Sequence, residues 1–465
     1  MTRAELGRGG ADRLSRATIN ALPDNVLLET FECHLGGKDA DEIDYGHNYE
    51  GWQTLVHVCR RWRSIVFASP RRLSLKLYCT RQRLVNSKTL DIWPALPIVI
   101  VAKCLQSKED VTNIFAALKH HNRVCKIYYS NWQHQDLLLE EFAAIDEPFP
   151  ALTSLTIYSD QQQGVPVFPD SFLGGSAPRL RSLYLFGIPY PSIGKLLSST
   201  TNLVRLSLYD IPNSGYIAPE KIVPCLSTLS GLESLALRFQ NPRCLAHRAS
   251  RHPPPLTRVV FSDLTSLDFG GDIEYLEDIL SQIETPILNQ SHFWFFNQLV
   301  FDTPLLGHFI RRTETIMTIH TAHVRFHSSL VVVRLSGREQ MATTDREALR
   351  LIISCKALDW QLSGLAQVLN SFLSSLPTLE SLQIEVPRKD WQGEIEAIQW
   401  REFLHPFTSV KKMTLMGKDS LQLVAPALQE LAEEGATGVL PALQNIFLET
   451  DDRQPSGFGT RQGSH

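Results

Sequence analysis

The chain has 465 residues, of which 43% are hydrophobic and 20% are charged, and its formal net charge is -4. This composition is typical of globular proteins and excludes a disordered or fibrous chain, while the length suits two or three domains or one array of repeats. Because the charge is nearly balanced, no overall field attracts nucleic acid or an anionic membrane surface, and we expect neither as a partner.

Targeting and cysteine patterns indicate an intracellular protein. Residues 1–17 are polar and lack the apolar stretch of a secretory signal, so we expect a flexible leader and a cytoplasmic or nuclear location. The longest apolar stretch is interrupted by Pro97 and Lys103 and is shorter than the roughly 18–20 residues of a membrane span. The eight cysteines are scattered singly, which predicts reduced thiols rather than disulfides or metal ligands.

Two helical stretches are predicted in residues 18–75. Leu22 and Pro23 precede the first, and proline suits a first helical turn because it lacks an amide hydrogen. The acidic segment GGKDADEIDYGHNYE separates this helix from a second one, which runs from Trp52 to Val66 and ends before a Ser-Pro pair. The pattern predicts two amphipathic helices that face each other in a module too small to bury much apolar surface alone.

These residues carry a resemblance to a known family. The segments LPDNVL at 22–27 and WQTLVHVCRRWR at 52–63 are similar to the two halves of an F-box, although the acidic insertion lengthens the connection between them. In that family the helical module binds a Skp-type adaptor, which links it to a cullin-RING ubiquitin ligase, the SCF complex. The adaptor-binding residues that the resemblance implies are Leu22, Pro23, Val26, Leu27, Phe31, Val58, Cys59 and Trp62. A simpler alternative is a helical hairpin that only caps the following domain.

Beyond residue 150 an L-x-x-L-x-[LIF] phrase recurs. The copies are LTSLTI at 152, LRSLYL at 180, LVRLSL at 203, LESLAL at 232, LTSLDF at 264, LESLQI at 379, VKKMTL at 410 and LQNIFL at 443. Successive starts lie 28, 23, 29 and 32 residues apart, then 31 and 33 after a gap of 115. These intervals fit leucine-rich repeats, whose period is about 20–29 residues, or slightly longer relatives. Stacked units of this kind form a curved parallel sheet backed by helices and loops.

We therefore predict an α/β fold in which the F-box-like helical module precedes a leucine-rich-repeat-like solenoid over residues 151–450. Residues 76–150 are interpreted as a linker or as degenerate first repeats, and the tail 451–465 as disordered. We expect the solenoid to continue through the gap, with strands in FNQLVFDT at 296, HVRFHSSLVVVRL at 323 and LRLIISC at 349. Returning helices are expected at Ser192–Ser199 and Leu362–Leu376.

Three further segments extend the resemblance. They are similar to stretches of the F-box-like proteins of mushroom-forming fungi. The segments are FWFFNQLVFDTPLLGHFI, ISCKALDWQLSGLAQV and WREFLHPFTSVKKMTL. The resemblance then covers nearly the whole chain, but it implies an architecture rather than a particular substrate.

Strand alternation predicts which side chains face outward on the concave side of the sheet. They include Tyr158, Tyr184, Phe186, Tyr209 and Arg238, and tyrosine and arginine are enriched in binding hot spots. We expect a protein substrate to bind here. The alternative is an aromatic ladder that stabilises neighbouring strands without any ligand.

The sequence contains no Walker A loop, no H-E-x-x-H and no G-x-S-x-G motif. His320, His323 and His327 lie close together, but strand alternation places the first on the opposite face, and their phrase holds no thiolate or carboxylate. We predict a non-catalytic substrate receptor without metal or cofactor, which promotes ubiquitin transfer by holding both partners together. The alternative is a repeat scaffold whose F-box-like helices are only a structural cap.

Overall fold

The structure is a computed structural model that describes most of the chain between residues 19 and 449. The described ranges are 19–35, 51–80, 96–103, 108–131, 139–160, 164–242, 258–298, 300–313, 316, 318–337, 347–373, 376–386, 397–433 and 439–449. The predicted leader, the acidic insertion and the predicted tail lie outside these ranges.

The amino-terminal module consists of three short helices. They are α1 (Asp24–Leu35), α2 (Gly51–Val58) and α3 (Arg60–Ala68). The prediction of one second helix is wrong, because the helical stretch is divided at Cys59, whose backbone is extended with φ -158° and ψ 170°. The Cys59 sulfur accepts the Trp62 amide hydrogen at 3.5 Å and caps the start of α3.

The strands and the remaining helices alternate along much of the chain. The strands are β1 (Leu77–Thr80), β2 (Ile98–Lys103), β3 (Val124–Asn131), β4 (Ser154–Ser159), β5 (Ser182–Phe186), β6 (Arg205–Ile211), β7 (Ser234–Phe239), β8 (Val259–Val260), β9 (Ser266–Gly271), β10 (Ile283–Glu284), β11 (Gln290–Phe295), β12 (Thr321–Phe326), β13 (Leu330–Ser336), β14 (Leu349–Ser354), β15 (Ser381–Glu385), β16 (Lys412–Met416) and β17 (Asn445–Glu449). The helices are α4 (Lys108–Leu118), α5 (Leu139–Ala143), α6 (Ile193–Ser199), α7 (Pro219–Leu226), α8 (Ile273–Gln282), α9 (Pro304–Arg312), α10 (Leu358–Asn370), α11 (Ala397–Leu404) and α12 (Lys418–Glu433). The helices predicted at 192–199 and 362–376 correspond to α6 and α10, and α10 both begins and ends earlier than expected.

One large sheet dominates the fold. Its strand order is β1-β2-β3-β4-β5-β6-β7-β9-β11-β14-β13-β12-β15-β16-β17, and β8 and β10 form a separate pair. From β1 to β7 each strand pairs in parallel with the next strand of the chain. Parallel neighbours need a crossover connection, which helices supply at several points. The predicted α/β class is confirmed as a mixed fold with a large, mostly parallel sheet.

The recurrent phrase coincides with strands of this sheet. Its copies fall at β4, β5, β6, β7, β9, β15, β16 and β17. In the first copy Leu152 precedes the strand, and Leu155 and Ile157 alternate along it, and all three side chains are fully buried. The residues between them are only half-buried, as the two-residue period of a strand requires. In seven of the eight copies the phrase therefore marks the inner, core-facing row of the sheet. The exception is β17 at the edge of the sheet, where Ile446 and Leu448 are 49% and 55% exposed.

The segment 76–150 contributes β1, β2 and β3 to the same sheet, paired in parallel with each other and with β4. Its described parts are therefore not a linker. They extend the strand array toward the helical module.

The gap between phrase copies differs from the predicted continuation. Strands β12, β13 and β14 form an antiparallel meander, and their order is reversed so that β14 pairs with β11 and β12 pairs with β15, both in parallel. The prediction that the parallel repeat continues here is wrong, because HVRFHSSLVVVRL forms the β12–β13 hairpin. The predicted strand FNQLVFDT is also wrong, since its described residues follow β11 without strand structure.

The helical module and the sheet share one apolar core. One cluster of buried side chains contains the core-facing residues of the strands and also Leu27, Phe31 and Trp52 of the module. The Trp52 Nε1–H also donates to the Lys76 carbonyl just before β1 at 3.0 Å. Within the described ranges, no helix combines the length and apolar character that crossing a membrane requires.

A glycine after β5 allows two strands to approach closely, and its replacement tests the fold. Gly187 has φ 68°, and a Cβ atom there would overlap the Ser159 carbonyl oxygen. We expect Gly187→Ala to lower the free energy of unfolding by about 2 kcal/mol or more, because it adds backbone strain and a clash. The measurement is urea unfolding followed by circular dichroism.

Gly231→Ala is the matched control, because no atom beyond its two chain neighbours lies within 4 Å of the Cβ that would be added at Gly231. It should change the free energy of unfolding by less than about 1 kcal/mol. Equal stability of the two variants would contradict the described approach of Gly187 to β4.

Candidate functional site

The outer face of the sheet consists of the strand residues that alternate with the buried ones. One row across β4 to β15 contains Thr156, Tyr184, Ser207, Ala236, Asp268, His292, Arg350, Arg334, His323 and Gln383. The next row contains Tyr158, Phe186 and Tyr209 on β4 to β6, and Arg238, Gly270 and Trp294 on β7 to β11. Strand register thus assembles aromatic and charged side chains from distant parts of the chain.

The predicted aromatic residues contact one another in pairs. The rings of Tyr158 and Phe186 stack with centroids 4.3 Å apart, and those of Tyr184 and Tyr209 lie 5.5 Å apart at 45°. These contacts are those of the aromatic ladder, and the rings remain only half-buried. Burial, followed by the charge of Asp268, raises the pKa of Tyr209 to about 12, so this phenol stays neutral at physiological pH.

Arg238 is held in a fixed position at the end of the aromatic row. Its Nε and Nη2 atoms each donate to one carboxylate oxygen of Asp268 at 2.6 Å, and the Tyr209 hydroxyl donates to the same carboxylate at 3.3 Å. The guanidinium lies 5.2 Å from the Tyr209 ring centroid and 5.6 Å from that of Trp294. Bidentate pairing and contact with two rings immobilise this cation without covering it completely.

Gly270 makes this arrangement possible. It pairs with Arg238 in the sheet, and a Cβ atom at position 270 would lie 2.9 Å from the Arg238 Cγ atom. The arginine stem therefore passes over the glycine toward Trp294, whose Nε1–H donates to the Ser354 hydroxyl at 2.6 Å.

Sequence reasoning did not identify Asp268 or Trp294 as part of this face. The signal for Asp268 was present, because it occupies in LTSLDF the place that Tyr184 occupies in LRSLYL. The signal for Trp294 was weaker: it alternates with the buried Phe293 and Phe295 in a segment without the phrase.

A second charged group lies on the meander. Arg334 and Arg350 stand directly opposite each other on β13 and β14, where two like charges would repel. The Glu347 carboxylate lies 3.1 Å from the Arg334 Nε and 3.7 Å from the Arg350 Nε, and its side chain is only 16% exposed. One carboxylate thus bridges two arginines.

A third group surrounds Glu385 on β15. Its carboxylate lies 3.5 Å from His323 Nε2 and 3.1 Å from an Arg325 nitrogen. Contact with His323, and then the charge of Arg325, lower the pKa of Glu385, although burial acts in the opposite direction. In the described part of the chain, no group of three or more His, Cys, Asp or Glu side chains is arranged to hold a metal ion.

The amino-terminal module is held together by packing and by one arginine. The Phe31 and Trp62 rings have centroids 4.7 Å apart, which joins α1 to α3. Arg61 donates to the Asp24 carboxylate at 2.6 and 2.9 Å and to the Leu22 carbonyl at 2.6 Å. The two sequence segments that resemble an F-box are therefore in direct contact.

The predicted adaptor-binding residues fall into three groups by exposure. Pro23, Val26 and Val58 are exposed, the two valines by 37% and 58%. Leu22, Cys59 and Trp62 are half-buried. Leu27 and Phe31 are buried at 0% and 1% exposure and fill the core of the module. The surface open to a partner therefore comes from the first two groups.

The sequence was compared with family models and with curated proteins. No family model matches the sequence, and no curated protein matches it either.

The Arg238–Asp268 pair yields a stability prediction. Asp268→Asn removes the charge that balances a half-buried arginine, and we expect the free energy of unfolding to fall by about 1–3 kcal/mol. Glu380→Gln is the control, because its partner Lys411 lies at 2.8 Å in a pair whose side chains are 39% and 51% exposed. It should cost less than about 1 kcal/mol. Urea unfolding measures both, and equal losses would contradict the role given to Asp268.

His292 yields a prediction about pH. Burial lowers its pKa below the ordinary value of 6.5; the charges of Arg350 and Arg238 act in the same direction, while Asp268 and Glu347 oppose them. As the pH falls below 6.5, the unfolded chain binds a proton before the folded chain does, so folding stability decreases.

Replacement of His292 by glutamine should therefore reduce the loss of stability between pH 7.5 and pH 5.5. Urea unfolding at both values measures this loss. The control is His405→Gln at an exposed position, which should retain the full loss seen in the unchanged protein. An undiminished loss in the His292 variant would contradict the prediction.

Proposed function

We propose that the protein is the substrate-receptor subunit of an SCF-type ubiquitin ligase, with α1–α3 as the adaptor-binding F-box and the large sheet as a leucine-rich-repeat-like substrate-binding domain. The observation that carries the proposal is the contact between the two F-box-like sequence segments. They lie in separate parts of the chain, yet Phe31 packs on Trp62 and Arg61 binds Asp24. The proposal assigns no chemical step to the chain, and its contribution is proximity of substrate and ligase.

The exposed side of the module supports adaptor binding. Val26 on α1 and Val58 at the end of α2 expose apolar surface, and Leu22 and Trp62 remain half-buried at the same module. Apolar side chains of this size gain free energy when a partner covers them. The buried Leu27 fixes the position of α1 and so supports that surface from inside.

The outer face supports binding of a protein substrate. Tyr184, Tyr209, Arg238 and Trp294 are half-buried and are held by ring contacts and by the Asp268 carboxylate. Residues that are already ordered lose little further conformational entropy when a ligand binds. The repeated phrase on successive parallel strands also supports a leucine-rich-repeat-like architecture.

A second candidate function is a repeat scaffold in which α1–α3 only cap the sheet. The hydrogen bond from Trp52 to the Lys76 carbonyl and the shared apolar core favour it, because both tie the module to β1. The two functions differ in one property, which is binding of the adaptor.

The adaptor test uses exposed residues so that the fold is kept. We expect the full chain to bind a purified Skp-type adaptor and the double variant Val26→Asp/Val58→Asp to bind at least about tenfold more weakly, because it places charge in an apolar contact. Binding is measured by biolayer interferometry, and circular dichroism reports folding.

The matched control is Val260→Asp, which adds a charge at a valine that is 59% exposed in the separate β8–β10 pair. It should retain adaptor binding within about twofold. Absence of adaptor binding by the unchanged protein would overturn the receptor proposal and leave the scaffold function.

A further inference from the structure

A small pocket opens on the outer face at the amino-terminal ends of β3 to β6. It has a volume of about 80 Å³ and is lined chiefly by Lys126, Ser154, Arg181, Ser182 and Arg205. This is several times the roughly 10–15 Å³ that one water molecule needs. The pocket lies two residues before the row that contains Tyr184 and is distinct from the charged group around Arg238.

The pocket results from the order of large and small side chains along one row. Register aligns Lys126, Ser154, Ser182 and Arg205 on four successive strands. Neighbouring strands are about 4.8 Å apart, so the two basic residues are separated by roughly 14 Å, with only two serines between them. The two short serine side chains leave space between the long side chains, and all four residues line the pocket.

The charge of this pocket is not balanced by the residues that line it. Its lining contains the two arginines Arg181 and Arg205 and no carboxylate. Arg181 and Arg205 are exposed and form no ion pair with any described residue, whereas Arg61 and Arg238 each bind a carboxylate.

We propose that this pocket binds the dianion of a phosphate monoester. A phosphate dianion offers three acceptor oxygens to the two guanidinium groups and the two serine hydroxyl groups. A carboxylate has only two oxygens and would leave some of these donors without an acceptor. The exposed positions of Arg181 and Arg205 leave the mouth open, so the esterified group extends into solvent. This inference goes beyond the proposed function, because it does not require the adaptor.

The same chemistry has two sources, a phosphorylated side chain of a polypeptide and a small soluble phosphate ester. Isothermal titration calorimetry on the full chain at constant ionic strength distinguishes them. The probes are N-acetyl-O-phosphoserine amide, glycerol 3-phosphate, inorganic phosphate and, as the uncharged comparison, N-acetylserine amide.

We expect both monoesters and inorganic phosphate to bind, because each presents phosphate oxygens to the two arginines, and N-acetylserine amide not to bind. A preference for the phosphoserine probe assigns the pocket to a modified polypeptide, and a preference for glycerol 3-phosphate assigns it to a soluble ester; both support the proposal. Absence of binding by both esters, or binding of N-acetylserine amide as tight as that of the phosphoserine probe, would overturn it.

Variants connect the binding to the pocket. Arg181→Ala/Arg205→Ala should weaken binding of the preferred ester at least about tenfold, because two charge-assisted contacts are lost. Ser182→Asp, which introduces a carboxylate into the pocket, should weaken it by at least as much.

The matched control is Arg179→Ala, which removes an exposed positive charge close in sequence that does not line the pocket. It should change the affinity by less than about twofold, since exposed charges are screened. Circular dichroism confirms folding of each variant. An equal loss in the Arg179 variant, or unchanged binding in both pocket variants, would contradict the assignment.

Discussion

Burial of the inner row of the sheet is the constraint on which the rest of the structure depends. Leu155 and Ile157 of β4 are fully buried, yet a single strand with its helix has too little surface to cover them. Each strand between the two edges of the sheet is therefore covered by a neighbour on both sides. Because side chains alternate along a strand, burial of these positions also fixes which residues face outward. The outer face and its candidate sites are consequences of the core.

The parts of the fold that follow from local periodicity could be predicted from the sequence. Each copy of the L-x-x-L-x-[LIF] phrase corresponds to a strand, and in every copy except that of β17 its apolar residues are the buried ones. The break at Cys59 could not be predicted in the same way, because the apolar spacing continues on both sides of one extended residue. The β12–β14 meander was also missed, since strand direction depends on pairing between segments and not on alternation within one segment.

Prediction of the outer face had a similar limit. Position within the phrase was sufficient to identify Tyr158, Tyr184, Phe186, Tyr209 and Arg238 as outward residues, and their side chains alternate with buried ones. Their partners depend on register across strands and on side-chain length. Arg238 binds the carboxylate of Asp268 and reaches the ring of Trp294 only because position 270 is glycine. Such a contact involves three strands, and a periodic pattern in one of them does not contain it.

The meander also explains why charge is distributed unevenly over the outer face. The antiparallel reversal places Arg334 opposite Arg350, and this pair is compatible with the fold because Glu347 lies against both. On β7 to β15 the arginines Arg238, Arg325, Arg334 and Arg350 all contact carboxylates of the sheet. At the start of β5 and β6, Arg181 and Arg205 have no such partner among the described residues. The face therefore neutralises its own cations on β7 to β15. It retains positive charge for an external anion at the start of β5 and β6, the strands that also carry the rings of Tyr184 and Tyr209. A ligand that lies along β5 and β6 would need a negative group at Arg181 and Arg205 and an aromatic or apolar segment next to it, at the rings of Tyr184 and Tyr209.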